Sequence, residues 1–151
     1  MIRAFLAGIG LALVVTTSAV LTGAALRQES KPPAKPASQS GWILPPDAEE
    51  TKNPHTVDAT LLATGKAVYK DKCERCHGPG GLGDGEDADP DHQEDMDLTN
   101  PKRAARNSDG VVFYKVSNGR RRPKMPAFKE ELTEQQIWAV VAYAQSLRKK
   151  D

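Results

Sequence analysis

Residues 71–81, DKCERCHGPGG, hold both cysteines of the chain, Cys73 and Cys76, with His77 directly after them. Two thiols this close in sequence enclose too short a loop for a disulfide to stabilise a fold appreciably. Yet the chain needs help of some kind. Only 5% of its 151 residues are aromatic, and 12 glycines and 11 prolines thin the supply of core-forming side chains. A domain of under about 100 residues usually leans on a disulfide, a metal or a bound group. Any fold for this chain must therefore account for what these two thiols hold.

Three chemistries compete for Cys-Glu-Arg-Cys-His. A thioredoxin-type redox pair sits after a strand and before a helix; here a helical pattern precedes the pair and a glycine-rich loop follows it. A zinc site needs four ligands, and Cys73, Cys76 and His77 would have to recruit His92 or His55. A histidine adjacent to its cysteine is poor tetrahedral geometry. The third chemistry is covalent haem attachment, for which Cys-x-x-Cys-His is the signature. Positions i and i+3 share a helix face, so both sulfurs can form thioethers with the vinyl groups on one porphyrin edge. His77 is then placed to bind iron, and Gly78, Gly80, Gly81, Gly83 and Gly85 let the backbone turn tightly around the ring. A haem would also supply the missing core. For the sixth iron position Met125 is favoured over Met96, His92, His55 or an open site, because PKMP is a proline-braced loop ill-suited to gap-filling in a core.

The N-terminus reads differently. From Ala4 to Leu26 no side chain is charged, a run longer than the roughly 20 residues that span a bilayer. Small residues at Gly23, Ala24 and Ala25 also offer a signal-peptidase site. Residues 1–26 are therefore expected to be a signal-anchor or a cleaved signal peptide. Arg3 precedes the run while Arg27, Lys31 and Lys35 follow it, so a count of basic residues favours the opposite orientation. Covalent haem attachment outside the cytoplasm overrides that count and places the domain on the extracytoplasmic (periplasmic) side. Residues 27–55, rich in proline, are expected to be an extended linker, with Trp42, Ile43 and Leu44 assigned to plain linker ahead of the alternative that they pack on the domain or on a neighbour.

The folded domain is expected over 56–151. Leu61, Leu62, Gly65, Val68 and Tyr69 follow helical spacing, with Asp58 as N-cap. Gly65 costs about 1 kcal/mol against alanine in mid-helix, a cost that a closely approaching second helix would explain. Thr133 with Gln136 forms a capping box, Leu132 with Ile137 a hydrophobic staple, and Ile137, Val140, Val141, Ala144 and Leu147 a stripe. Arg148, Lys149 and Lys150 suit the C-terminal end of that helix. Between them, Val111, Val112, Phe113 and Val116 fit a strand or a helix, with Ser108 and Asn118-Gly119 favouring helix.

Formal charge is +1 with 27% charged residues, so nothing marks the chain as a nucleic-acid binder. Locally, residues 84–97 carry acidic side chains and no lysine or arginine. Arg120, Arg121, Arg122 and Lys124 precede Met125. The acidic run reads as a solvated loop, and the basic cluster suits either an acidic partner or haem propionates.

With these residues placed, the chain from about residue 57 to 150 resembles a class I c-type cytochrome domain of the small bacterial monohaem kind. The stretches that carry the likeness are GKAVYKDKCERCHGPGGLGDG, DLTNP, DGVVFYKVSNG and MPAFKEELTEQQIWAVVAYAQSL. The resemblance implies an all-α fold, three or more helices around one covalently bound haem c with iron. It also implies that the middle segment is helical and that Gly65 and Tyr69 cross the last helix against Tyr143 or Trp138. Cys73 and Cys76 match the thioether positions, His77 the proximal iron ligand, Met125 the distal one and Leu98 a haem-packing leucine. Relatives use a proline carbonyl to hold the proximal imidazole, for which Pro90 is the candidate here.

The implied role is a single-electron carrier in an extracytoplasmic respiratory or related redox chain, not an enzyme. It would work with redox protein partners, and with the membrane if the N-terminal helix stays uncleaved. A membrane-bound subunit of a dehydrogenase or oxidase is the alternative, and a haem sensor or peroxidase with a dissociable methionine the third reading.

Overall fold

A computed structural model describes residues 38, 39, 41–122 and 124–148. The expected signal or anchor segment, the linker up to residue 37, Pro123, Lys149 and Lys150 lie outside the described residues. No helix among the described residues is long and apolar enough to cross a membrane.

The described chain is built on helices. A two-residue antiparallel pair, β1 (Ser38–Gln39) and β2 (Trp42–Ile43), leads to α1 (Ala59–Lys72) and α2 (Glu74–His77). A 3-10 turn (Pro90–His92) is followed by α3 (Gln93–Met96), α4 (Pro101–Ala104), α5 (Asp109–Asn118) and α6 (Glu134–Ser146).

The starts of α1 and α6 are those the sequence predicts, whereas α6 stops at Ser146, ahead of Arg148, and Ser108 opens α5 without a side-chain capping bond. The Asp58 carboxylate accepts from the Leu61 N–H at 2.8 Å, satisfying one of the four unpaired donors at the start of α1. Thr133 and Gln136 make both halves of the capping box that opens α6. The ambiguous middle segment is helix α5, ended by Gly119.

Helices α1 and α6 cross at Gly65, where a Cβ would overlap the Ala139 carbonyl and come within 2.9 Å of the Tyr143 Cβ. The tilted ring pair Tyr69–Tyr143, centroids 5.2 Å apart, extends this crossing. Trp138 instead stacks on Phe113 of α5, centroids 4.1 Å apart. The main core joins Tyr69, Val116, Phe128, Ile137, Val140 and Val141 from α1, α5, α6 and the segment before α6. Leu132 packs against the cluster that holds Ile137, as a staple requires.

Residues 41–53 differ from the expected linker. Trp42, Leu44 and Ala48 are buried and form a second cluster with Val111 of α5. Hydrogen bonds fasten the segment: Gly110 N–H to the Thr51 carbonyl (3.1 Å), Ser108 Oγ to the Ala48 carbonyl (3.3 Å) and Asn53 Nδ2 to the Trp138 carbonyl (3.1 Å). Prolines forbid regular structure here, but they do not forbid packing. Of the three residues assigned to plain linker, only Ile43 is exposed.

Candidate functional site

Cys73 ends α1, its N–H bonded to the Tyr69 carbonyl at 2.8 Å, and begins α2. The Cys76 and His77 N–H groups both reach back to the Cys73 carbonyl (3.2 and 2.9 Å). The two thiols and the imidazole therefore belong to one helical turn, and no disulfide joins the cysteines. Tyr69 Oη donates to the Gly78 carbonyl at 2.8 Å, tying the exit of that turn to the core.

The glycine loop then folds back beneath the turn. Gly83 N–H donates to the His77 carbonyl (2.9 Å) and Leu98 N–H to the Gly81 carbonyl (2.7 Å). Gly83 has φ of +73°, and a Cβ there would crowd the Asp97 and Met96 backbone within about 3 Å. This closure brings Met96 under His77, whose Nδ1 lies 2.7 Å from the Met96 carbonyl oxygen. A carbonyl can only accept, so Nδ1 carries the proton and Nε2 keeps its lone pair. Burial lowers the His77 pKa and the Met96 carbonyl partly opposes that, so the ring is held neutral, the form that binds a metal.

Burial, with Cys76 and Asp71 nearby, pushes the Cys73 thiol up to about 12. A thioredoxin-type pair follows a strand, whereas here helix α1 runs directly into Cys73 and a glycine loop follows His77, so the structure disfavours that reading. The zinc reading fares no better. Among the described residues no group of three or more His, Cys, Asp or Glu side chains could hold a metal ion.

Met125 stands on a hairpin. Its N–H and carbonyl exchange hydrogen bonds with those of Arg120, each 2.9 Å. The side chain packs against both apolar clusters, so its position is set from two sides.

Cys73, Cys76, His77, Leu98 and Met125 all line one cavity of about 510 Å³, within the roughly 300–1,000 Å³ usual for cofactor sites. Tyr69, Val112, Val116, Phe128 and Val140 add apolar walls. Pro90 does not line this cavity; it is exposed at the start of the 3-10 turn, and the imidazole it was expected to hold is held by Met96. His92 is also outside, exposed and 4.0 Å from Asp95.

The cavity has a cationic side that the sequence reading only half anticipated. Arg103, Arg106, Lys115, Arg120 and Lys124 line it, while Arg121 and Arg122 are exposed at the hairpin tip and do not. Arg103 and Arg120 both pair with Asp95, Arg120 at 3.5 Å. Burial, then Arg120, Arg103 and Arg106, push the Lys115 ammonium down to about 8. Asp87, Asp89, Asp95 and Asp97 line the same cavity, so carboxylates stand beside these cations. The acidic run is largely solvated, as expected: Asp84, Glu86, Asp87, Asp89, Asp91 and Glu94 are exposed, Glu86 and Asp87 pairing with Arg75 at the surface (3.0 and 2.9 Å), while half-buried Asp97 accepts from Thr99.

Residues 60–143 match the family model described as cytochrome c oxidase, cbb3-type, subunit III. No curated protein matches the chain. Among solved structures, the c-type cytochrome KustC0563 is 26% identical, with a TM-score of 0.47 over 56% of this chain and 98% of that one. A component of the Kuenenia stuttgartiensis reducing HAO-like protein complex Kustc0457/Kustc0458 is 28% identical with a TM-score of 0.51. That match covers 64% of this chain, which spans 47% of that component's length.

Proposed function

Given that this chain belongs to the cytochrome c family described as cytochrome c oxidase, cbb3-type, subunit III, we propose that it carries single electrons in an extracytoplasmic redox chain. Family membership brings one covalently bound haem c with its iron, and the residues present fit that group. Two thiols one turn apart, a neutral imidazole and a thioether all line one largely apolar cavity, and this convergence is the observation that carries the reading.

Cys73 and Cys76 would hold the haem through thioethers, His77 and Met125 would bind its iron, and Leu98 would pack on the ring. When bound, the haem supplies one-electron Fe(III)/Fe(II) chemistry, with a potential raised by a thioether ligand and burial. The protein's part is to hold still. Met96 fixes the His77 tautomer and ring orientation, and the Arg120 pairing fixes the hairpin that carries Met125. The apolar walls would exclude water from the group, and Arg103, Arg106, Lys115 and Arg120 would offset the negative charge of its propionates. With His77 and Met125 both holding the iron, substrate would have no place on it, which favours electron transfer over catalysis.

The domain would stand on the extracytoplasmic face, either anchored by residues 4–26 or released after cleavage, with redox proteins as its partners. Exposed Arg121 and Arg122 would meet an acidic partner, giving electron-transfer rates that fall as salt rises. Membership in a subunit family and likeness to a component of a complex favour a second reading, that of a bound subunit within a larger oxidoreductase. Copurification of a fixed partner in mild detergent would distinguish it from a free carrier.

A potentiometric titration tests the main reading. The purified holo-protein should follow a one-electron curve, and its reduced form should not take up carbon monoxide. Rapid carbon monoxide uptake together with peroxide turnover would instead support a sensor or peroxidase.

A further inference from the structure

The family match ends at residue 60 on its N-terminal side, yet a residue well before it reaches the cofactor cavity. Trp42 is buried and lines that cavity. Its indole has two cations within cation–π range, Lys115 Nζ at 5.4 Å and Arg120 Cζ at 5.1 Å from the ring centroid. Arg120 is the residue whose backbone pairs with Met125. The cluster of Trp42, Leu44, Ala48 and Val111 also has the Met125 side chain packed against it.

We propose that residues 41–53 form a strap, added to the family domain, that completes the cofactor site, with Trp42 as its positioning residue. Trp42 braces the 120–125 hairpin from outside the family domain. It holds Arg120 and Lys115 at the cavity wall, and it closes that wall to water. The strap is seated independently of the cavity: Leu44 is 1% exposed and does not line it, and the hydrogen bonds at Ala48, Thr51 and Asn53 fasten it to α5 and α6. Without the strap, Met125 loses one of its two packing surfaces, and water reaches the cofactor from that side. Water stabilises the more highly charged oxidised state, so the reduction potential falls.

This inference rests on the haem-bearing reading above, and its test separates the two. Full-length protein with Trp42→Ala, Trp42→Phe or Leu44→Ala is purified, and covalent haem is verified by intact mass before anything else is measured. Trp42→Ala should show a lowered potential, a weakened far-red ferric band and new carbon monoxide binding in the reduced state. Trp42→Phe, which keeps an aromatic wall, should restore most of each. Leu44→Ala, which unseats the strap without touching the cavity, should shift the same three readouts in the same direction. Haem-loaded variants with the wild-type potential, band and carbon monoxide inertness would overturn the strap and leave the electron-carrier reading standing. Wild-type protein without covalent haem would take both down.

Discussion

The Nδ1 of His77 donates to the backbone carbonyl of Met96 across 2.7 Å, so the imidazole is oriented by a main-chain atom nineteen residues away rather than by a side chain. Two substitutions should therefore behave oppositely. Met96→Ala keeps the carbonyl and should leave the reduction potential and spectrum close to wild type. Gly83→Ala should disturb both. Its φ of +73° costs a side-chain-bearing residue about 1–2 kcal/mol, and the new methyl would press on the Met96–Asp97 backbone that carries the acceptor. Potentiometry and urea denaturation on the two variants check this.

The α1–α6 crossing makes a prediction with a contested sign. Helix propensity alone would have Gly65→Ala stabilise the protein by about 1 kcal/mol. The methyl would overlap the Ala139 carbonyl, and overpacking of this kind costs about 1–3 kcal/mol. Backbone against backbone cannot yield cheaply, so the clash should win and Gly65→Ala should unfold at lower urea. Gly65→Val should be worse.

Tyr69 should leave a mark at alkaline pH. Its buried hydroxyl donates to the Gly78 carbonyl, and burial raises its pKa well above the usual value near 10. Above pH 10 the unfolded chain releases this proton while the folded chain keeps it. The native state then binds more protons, and stability falls as pH rises. Tyr69→Phe should lack that alkaline limb. It should also lose about 0.5–1.5 kcal/mol at neutral pH, the net worth of one hydrogen bond, because the Gly78 carbonyl keeps the Gly81 N–H as a donor at 3.2 Å. Urea midpoints measured from pH 7 to 11 on both proteins give the difference directly.

Much of this molecule can be read from its residues, and the parts that cannot share a reason. Helices α1 and α6 announce themselves through Asp58, the Thr133–Gln136 box and long apolar stripes, all local signals. Cys73, Cys76 and His77 fall within five consecutive residues and meet the cavity together. Helix α5 is a short apolar run whose period does not separate helix from strand, and only its flanking residues and its likeness to a family point to helix. The Met96 carbonyl is invisible in a sequence because every residue has one. Arg103, in α4, and Arg106, just after it, meet Lys115 of α5 only in the fold. Trp42 and Leu44 look like linker because prolines surround them, and their burial depends on a partner surface on α5 far along the chain.

The cationic wall should tune the potential. A positive side chain near the haem favours the reduced state, which carries one less positive charge. Lys115→Met should lower the reduction potential, and Lys115→Arg should hold it near wild type. Added salt should narrow the gap only slightly, because Lys115 is half-buried and poorly screened. Equal potentials in the Met and Arg variants would show that charge at this position does not reach the cofactor.

The most direct test is the visible spectrum of the oxidised holo-protein beside that of Met125→Ala. Iron held between His77 and the Met125 thioether predicts a weak far-red band in the first that is missing from the second, with a lower potential and carbon monoxide uptake on reduction. A band that survives Met125→Ala, or that wild-type protein never shows, would contradict the assignment of Met125 as the sixth ligand and the electron-carrier account built on it.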